Sequence, residues 1–152
     1  MIITTATAHT SETGPLTATV LKYCAAIESL VSGGEVRAED WETLKAYIAA
    51  DEFRRVGAYL EELSWQEYVD FLTQWAGGTR FEATIFRITE VADSVFQEIE
   101  ERHYRGEEFI RKNVIAVYRF NAAGKICHLD IYEQARDSGK WIIDAAKANT
   151  GG

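Results

Sequence analysis

The sequence predicts a single α+β domain, in which three N-terminal helices pack on one face of a strongly curved, mostly antiparallel sheet. Hydrophobic residues recur at three- and four-residue spacing up to Gly78 and at two-residue spacing after it. The 152 residues, 47% hydrophobic and 26% charged, suffice for one buried core and argue against disorder. Helices that precede a run of antiparallel strands are typical of α+β packing.

The helices are predicted from apolar stripes and from their end signals. The first has an apolar face from Leu16 to Val31 and stops at Gly33-Gly34. The second is expected from about Ala38 to Ala50. The third begins at Ser64, because Ser64 and Glu67 form a capping box in which each side chain satisfies a free amide of the first turn.

Four long strands are predicted after the helices, because apolar and polar residues alternate there. They span Thr79–Glu90, Val95–Arg105, Phe109–Phe120 and Lys125–Gln134. A short extra strand is expected near Phe53 to Tyr59, and a short closing helix from Trp141 to Ala146. Residues 1–14 are expected to form a flexible tail before one domain that spans residues 15–148.

Charge and motif content argue against several classes of function. The net charge of −8 disfavours nucleic acid and anionic membrane surfaces, which both attract clustered Lys and Arg. Phosphate-binding, dinucleotide-binding, serine-hydrolase and zinc-peptidase motifs are missing, so we expect no cofactor. Cys24 and Cys127 are expected to be reduced thiols of a cytoplasmic protein.

The last two strands resemble those of a known group of proteins. The stretch from Val114 to Ile126, with His128-Leu129-Asp130-Ile131-Tyr132 after it, is similar to the paired final strands of the nuclear transport factor 2-like superfamily. That group includes ketosteroid isomerases, limonene epoxide hydrolases and SnoaL-type polyketide cyclases. The resemblance covers roughly residues 15–135 and implies a cone-shaped, cystatin-like domain with an apolar pocket. It also implies a homodimer formed through the outer sheet face.

The resemblance implies candidate residues for some activities of the group and not for others. Tyr23 matches the tyrosine that donates a hydrogen bond to the developing oxyanion in ketosteroid isomerases. Their partner carboxylic acid falls on Ala116 and their general base near Gly57, so ordinary steroid isomerisation is not expected. SnoaL-type cyclases carry a His-x-Asp motif in the last strand, and His128 with Asp130 is similar to it, which implies Asp130 as general base.

Charged residues of the second long strand offer a second acid–base group. If Glu98, Glu100 and Arg102 share a pocket-facing side, the arginine keeps one carboxylate ionised beside a more deeply buried neighbour, which suits proton transfer. In the alternative interpretation, these charges face water or a partner subunit. The same alternative applies to the polar face of the last strand, because a one-residue difference exchanges the two faces of a strand.

The predicted function is cofactor-independent acid–base chemistry on a small hydrophobic molecule, as in an isomerase, a cyclase, a dehydratase or an epoxide hydrolase. The alternative is a non-catalytic small-molecule binding or dimerisation module of the same fold. Glu101 and His103 share a strand face, but two ligands are too few for a tight metal site, so no metal is predicted. The candidate catalytic residues are Asp130, His128, Tyr23, Glu100 and Arg102, and the candidate substrate-binding residues are Tyr59, Tyr118, Glu98, Tyr132 and Trp75.

Overall fold

The computed structural model describes the backbone of residues 2–5 and the whole of residues 14–136. Its helices are α1 (Pro15–Ser32), a 3₁₀ helix (Ala38–Ala46) and α2 (Trp65–Ala76). Its strands are β1 (Ile2–Thr5), β2 (Arg54–Val56), β3 (Glu62–Leu63), β4 (Arg80–Val91), β5 (Ser94–Arg105), β6 (Glu108–Phe120) and β7 (Ile126–Ala135). These described strands form one sheet in the order β1-β4-β5-β6-β7-β2-β3. None of the described helices is long and apolar enough to cross a membrane.

The four long strands, β4 to β7, lie within one residue of their predicted bounds at every end. The glycines in the turns between these strands explain why the strand ends could be predicted from the sequence. Gly106 and Gly124 have φ angles of 59° and 76°, the left-handed region that glycine adopts without strain. At the last turn, the Asn121 Oδ1 atom accepts hydrogen bonds of 3.0 Å from the backbone N–H groups of Ala123 and Lys125. Both turns therefore have the tight geometry that joins neighbouring antiparallel strands.

The second predicted helix needs correction, because it is a 3₁₀ helix that ends at Ala46 instead of continuing to Ala50. The chain then pairs with the start of β7. The Ile126 N–H donates to the Tyr47 carbonyl and the Ala49 N–H donates to the Ile126 carbonyl, both at 2.9 Å. These sheet-like hydrogen bonds replace the ones that a longer helix would make.

Short strands at the two sheet edges are the other differences from the sequence prediction. The strand expected near residues 53–59 is reduced to the three residues of β2, which runs parallel to β7. The two-residue strand β3 was not predicted. Residues 2–5, predicted to belong to a flexible tail, form β1 and pair in parallel with β4. The closing helix predicted at residues 141–146 and the domain end at residue 148 lie outside the described residues.

A β-bulge at Phe86 contributes to the curvature of the sheet. Ile85 pairs with Ile99 and Arg87 pairs with Glu98, so Phe86 is an extra residue in β4. Such a bulge bends its strand and increases the local twist. The helices pack on the concave face, and the side chains that are most completely buried there are Val20, Tyr23, Trp41, Leu44, Ile48, Val95 and Ile126.

A carboxylate from the sheet holds the first turn of α1 in place. Glu90 Oε1 accepts hydrogen bonds from the Thr17 backbone N–H at 2.7 Å and from the Thr17 Oγ1 hydroxyl at 2.9 Å. A negative charge at a helix N-terminus satisfies free amides and complements the helix dipole. Gly14 precedes the helix, and any side chain at this position would collide with the Glu90 carboxylate. The contact fixes where α1 crosses the sheet.

Candidate active site

A cavity of about 530 Å³ lies between the concave sheet face and the helices α1 and α2. This volume lies within the range of small-molecule binding sites. Alternation along the strands selects its lining residues: Gln97, Ile99, Glu101 and His103 of β5 face the cavity, and the residues between them face outward. Most of the remaining wall is apolar, with contributions from Ile27, Leu72, Phe81, Ala83, Ile85, Ala116, Leu129 and Ile131.

Tyr118, Gln97 and Cys24 form a polar cluster in the cavity wall, and they hydrogen-bond to one another. The Tyr118 hydroxyl donates to Gln97 Oε1 at 3.2 Å, and Gln97 Nε2 donates to Cys24 Sγ at 3.6 Å. Gln97 is only 2% exposed, so its amide depends on these partners. Burial raises the pKa of the Cys24 thiol, which therefore stays protonated and is a poor nucleophile.

Tyr23 of α1 places its hydroxyl at the same cavity, close to the hydroxyl of Tyr68. The residue is 2% exposed, and its Oη atom makes no hydrogen bond of normal geometry with any residue of the described chain. Burial raises its pKa well above the ordinary tyrosine value, and the neighbouring Tyr68 and Tyr118 add to this effect. Tyr23 thus remains a neutral hydroxyl at physiological pH, able to donate to an acceptor in the cavity.

A second polar group in the wall links α2 to β5 through Trp75, His103 and Glu101. The Trp75 Nε1–H group donates to His103 Nδ1 at 3.2 Å, and His103 Nε2 lies 3.0 Å from Glu101 Oε2. An indole N–H only donates, so His103 Nδ1 must accept and the ring proton must lie on Nε2. His103 therefore donates its proton to Glu101. The ring of Phe81, centred 4.8 Å from that of His103, packs against the imidazole.

The Glu101 carboxylate keeps one oxygen available to a ligand. Oε2 is held by His103, whereas Oε1 accepts no hydrogen bond from the residues described between 14 and 136. Burial is the main reason that the pKa values of Tyr68 and Tyr118 are raised, and the negative charge of Glu101 adds to the rise. The carboxylate and these hydroxyl groups therefore share one electrostatic environment.

Some of the site residues predicted from the sequence line this cavity. Tyr23, Tyr118 and Trp75 do so, from α1, β6 and α2. Tyr59 does not, because it lies in the turn between β2 and β3 and is 71% exposed.

The polar residues predicted on the last strand need correction. His128, Asp130 and Tyr132 alternate with Leu129 and Ile131, which line the cavity, so the three polar side chains lie on the outer face of β7. There, Asp130 accepts hydrogen bonds from Arg119 Nε at 3.2 Å and from His128 Nε2 at 2.8 Å. A group on the convex face cannot contact a ligand in the cavity, so Asp130 is not the base of this site.

The charged residues predicted on β5 are corrected for the same reason. Glu98, Glu100 and Arg102 alternate with the cavity residues of this strand and lie on its outer face. Arg102 donates there to Glu100 Oε1 at 2.7 Å and to Glu82 Oε2 at 3.3 Å. This arrangement is the alternative interpretation of these charges, in which they face away from the cavity.

The sequence analysis missed Gln97, Glu101, His103 and Arg55 as candidate ligand-binding residues. Glu101 and His103 were considered only as metal ligands. The sequence did indicate their position. Glu101 and His103 are separated by even numbers of residues from the apolar residues Val95 and Ile99, so all four lie on the same face of the strand. Arg55 enters the cavity from the three-residue strand β2, which is too short to carry a periodic pattern.

The architecture corresponds to that of known structures. No family model matches the sequence, and no curated protein matches it either. A SnoaL-like protein from Jannaschia sp. CCS1, described as a candidate polyketide cyclase, is 9% identical with a TM-score of 0.60, over 93% of this chain and 98% of that chain. An LEH-like epoxide hydrolase from M. tuberculosis is 18% identical with a TM-score of 0.55, over 75% and 84% of the two chains.

A third similar structure carries the name of the fold. It is a nuclear transport factor 2-like protein of unknown function from Exiguobacterium sp. 255-15, 13% identical with a TM-score of 0.57, over 74% of this chain and 98% of that chain. The chain therefore has the nuclear transport factor 2-like fold, as the resemblance implied. At these identities the similarity defines the fold and leaves the reaction to be argued from the site.

Proposed function

We propose that this chain is a cofactor-independent enzyme that moves a proton on a small, mainly hydrophobic carbonyl compound. One observation carries the proposal. Among the described residues, a mainly apolar cavity is lined by a carboxylate, Glu101, whose Oε1 atom accepts no hydrogen bond, and by a buried hydroxyl, that of Tyr23, which makes no hydrogen bond of normal geometry. A base and a hydrogen-bond donor are the two groups that enolisation of a carbonyl compound requires.

In the proposed reaction, Glu101 Oε1 takes a proton from the carbon next to the substrate carbonyl. The C–H bond breaks, its electron pair forms the C=C bond of an enolate, and the negative charge develops on the carbonyl oxygen. Tyr23 Oη donates a hydrogen bond to that oxygen. The His103 Nε2–H group, 3.0 Å from Glu101 Oε2, orients the carboxylate. Return of the proton to another carbon gives an isomerase, and attack of the enolate on a second carbonyl gives a cyclase.

The solved structures with this fold include an epoxide hydrolase and a candidate polyketide cyclase. These two named activities support the idea that this fold hosts acid–base chemistry on small molecules. For this chain, the absence of a carboxylic acid at Ala116 argues against the two-donor oxyanion site of ketosteroid isomerases. The reaction proposed here therefore uses Tyr23 as its hydroxyl donor.

A deuterium-exchange experiment distinguishes the hypothesis of an enzyme from that of a non-catalytic binding module. The enolisable ketone 2-tetralone is incubated with the protein in D₂O, and loss of its α-hydrogens is followed by NMR. Binding of the same ketone is measured independently by thermal shift. The proposal predicts exchange faster than in buffer by at least about a hundredfold, the usual contribution of a positioned base. Binding without accelerated exchange would favour the non-catalytic module.

We also propose that the chain forms a homodimer through the outer sheet face. Phe86, Ile115 and Tyr132 are exposed there on β4, β6 and β7, and Ile115 pairs directly with Tyr132. Apolar side chains that form a row on a sheet surface are typical of an interface.

Cys24 and Cys127 are both free thiols, which supports a cytoplasmic location.

A further inference from the structure

Arg55 is a cavity residue that the proposed proton transfer does not use. Its side chain is 14% exposed and lines the cavity from β2. The guanidinium carbon lies 5.2 Å from the centre of the Tyr68 ring and 5.4 Å from that of Phe71. These aromatic faces stabilise a positive charge while leaving the planar edge of the guanidinium group free to donate hydrogen bonds.

The nearest acidic residue neutralises Arg55 poorly. Glu61 Oε1 lies 3.9 Å from Arg55 Nη1, beyond hydrogen-bond distance. The other oxygen, Glu61 Oε2, accepts a hydrogen bond of 2.9 Å from the Tyr59 backbone N–H in the β2–β3 turn. This hydrogen bond holds the Glu61 carboxylate at the β2–β3 turn, where it does not reach hydrogen-bond distance of Arg55. Within the part of the chain that the structure describes, Arg55 donates no hydrogen bond of normal geometry, and its Nε atom is buried without a partner.

The other cations along the cavity are already engaged. Lys112 Nζ lies 3.3 Å from Glu133 Oε2. Arg105 donates to the Thr79 hydroxyl at 3.1 Å and to the Gly77 carbonyl at 3.4 Å. Arg55 therefore differs from both, since its buried Nε donor lacks an acceptor among the described residues, and a buried donor is normally satisfied by a partner.

We propose that Arg55 anchors a carboxylate group of the ligand, so that the cavity takes small hydrophobic acids. A guanidinium group matches a carboxylate through two parallel N–H···O hydrogen bonds. A single negative charge fits better than a dianionic phosphate, because the Glu101 carboxylate lines the same cavity. If the proposed function holds, on which this step rests for the reaction, the substrate is a hydrophobic keto acid. Its carboxylate is held at Arg55, and the carbon next to its ketone is presented to Glu101.

The test measures affinity with matched acid and amide pairs. The probes are 3-phenylpropanoate, 2-naphthylacetate and 4-oxo-4-phenylbutanoate, each with its primary amide, and the measurement is calorimetric Kd at pH 7. The wild type is expected to bind at least one acid about tenfold to a hundredfold more tightly than its amide, the usual strength of a charge-assisted hydrogen bond. Arg55→Met should lose this preference while its affinity for the amide stays within about threefold, which also shows that the variant is folded.

Two further variants sharpen the result. Arg55→Lys keeps the charge without the planar fork, so it should retain only part of the preference for the acid. Glu61→Gln removes the competing anion and keeps an acceptor for the Tyr59 N–H group, so its affinity for the acid should equal or exceed that of the wild type. Absence of acid binding by the wild type, equal affinity for acid and amide, or a full preference in Arg55→Met would each overturn the inference.

These outcomes are independent of catalysis. A selective acid site without deuterium exchange on 4-oxo-4-phenylbutanoate would support the role of Arg55 and contradict the proposed proton transfer. Exchange on 2-tetralone without selection of acids would leave the proton transfer intact and overturn the role of Arg55.

Discussion

Trp75 determines which nitrogen of His103 carries the ring proton. The Trp75 Nε1–H group donates to His103 Nδ1 at 3.2 Å, so His103 Nε2 must supply the hydrogen bond to Glu101. Through His103, Trp75 of α2 thereby influences the orientation of the Glu101 carboxylate on β5. Trp75 is a positioning residue in this arrangement, because its effect on Glu101 is transmitted through His103.

Replacement of Trp75 by Phe tests this relationship. The variant keeps an aromatic ring beside Phe81 and His103 and loses the hydrogen bond that fixes the tautomer. The kcat for deuterium exchange should fall roughly ten- to a hundredfold, as expected when a catalytic group is misplaced by about 1 Å, with little change in KM. The ¹⁵N resonances of His103 should change from one tautomer to a mixture. An unchanged tautomer together with reduced kcat would show that Trp75 acts in another way.

Replacement of Tyr23 by Phe should separate catalysis from stability. The Tyr23 hydroxyl lies close to that of Tyr68 but makes no hydrogen bond of normal geometry in the described chain, so its removal should change the free energy of unfolding by less than about 1 kcal/mol. The exchange rate should fall by about a hundredfold, the cost of losing an oxyanion donor. Tyr118→Phe is the matched control, because it strips the hydrogen-bond donor from the buried Gln97 Oε1 and should cost about 1–3 kcal/mol. Equal stability losses in the two variants would contradict the assignment.

The same pair of tyrosines predicts a loss of stability at alkaline pH. Burial raises the pKa of Tyr23 and Tyr118 well above the ordinary tyrosine value of 10.0, so the folded protein retains protons that the unfolded chain releases. Their contribution is fully present below about pH 10 and decreases as the pH rises further. Urea unfolding at pH 8 and pH 11 should therefore give a smaller loss for Tyr23→Phe than for the wild type. An equal loss would argue against a buried, neutral Tyr23.

Glu90 should contribute to stability through the first turn of α1. Glu90→Ala removes the acceptor for both Thr17 hydrogen bonds and should lower the free energy of unfolding by about 1–2 kcal/mol. Glu35→Ala provides a control in the exposed loop after α1 and should change stability by about 0.5 kcal/mol or less. Chemical denaturation of both variants gives the comparison. A similar small effect in both would indicate that the cap contributes little.

The proposed dimer is tested by two isoleucines of β6 with similar exposure on opposite faces. Ile115 is 43% exposed on the outer face, and Ile110 is 46% exposed on the cavity side. Ile115→Glu should convert a dimer into a monomer, because it buries an unpaired charge in the interface. Ile110→Glu should leave the assembly intact. Sedimentation velocity reports both masses, and a wild-type monomer would contradict the proposal.

The fold was predictable because local patterns define it. The capping box at Ser64 and Glu67, the turn glycines and the change of period after Gly78 are short-range signals, and the structure places α2 and the long strands accordingly. The 3₁₀ helix was one exception, because its early end depends on pairing of residues 47–49 with Ile126, which is distant in the sequence.

The site was less predictable, because alternation groups residues by face without stating which face is concave. Asp130 and His128 were paired correctly with each other and assigned to the wrong side. Glu101 and His103 could have been assigned through their parity with Ile99. Arg55 could not, since its environment arises from the rings of Tyr68 and Phe71, which come from α2 rather than from its own strand.

The most direct test of the proposed function compares Glu101→Gln with Asp130→Asn in the exchange of 2-tetralone α-hydrogens in D₂O. Both substitutions remove one negative charge with almost no change in shape, one inside the cavity and one on the outer face. The proposal predicts that Glu101→Gln binds the ketone and loses at least about a hundredfold in exchange rate, whereas Asp130→Asn exchanges like the wild type. Wild-type exchange by Glu101→Gln, or a comparable loss in Asp130→Asn, would contradict the assignment of Glu101 as the base.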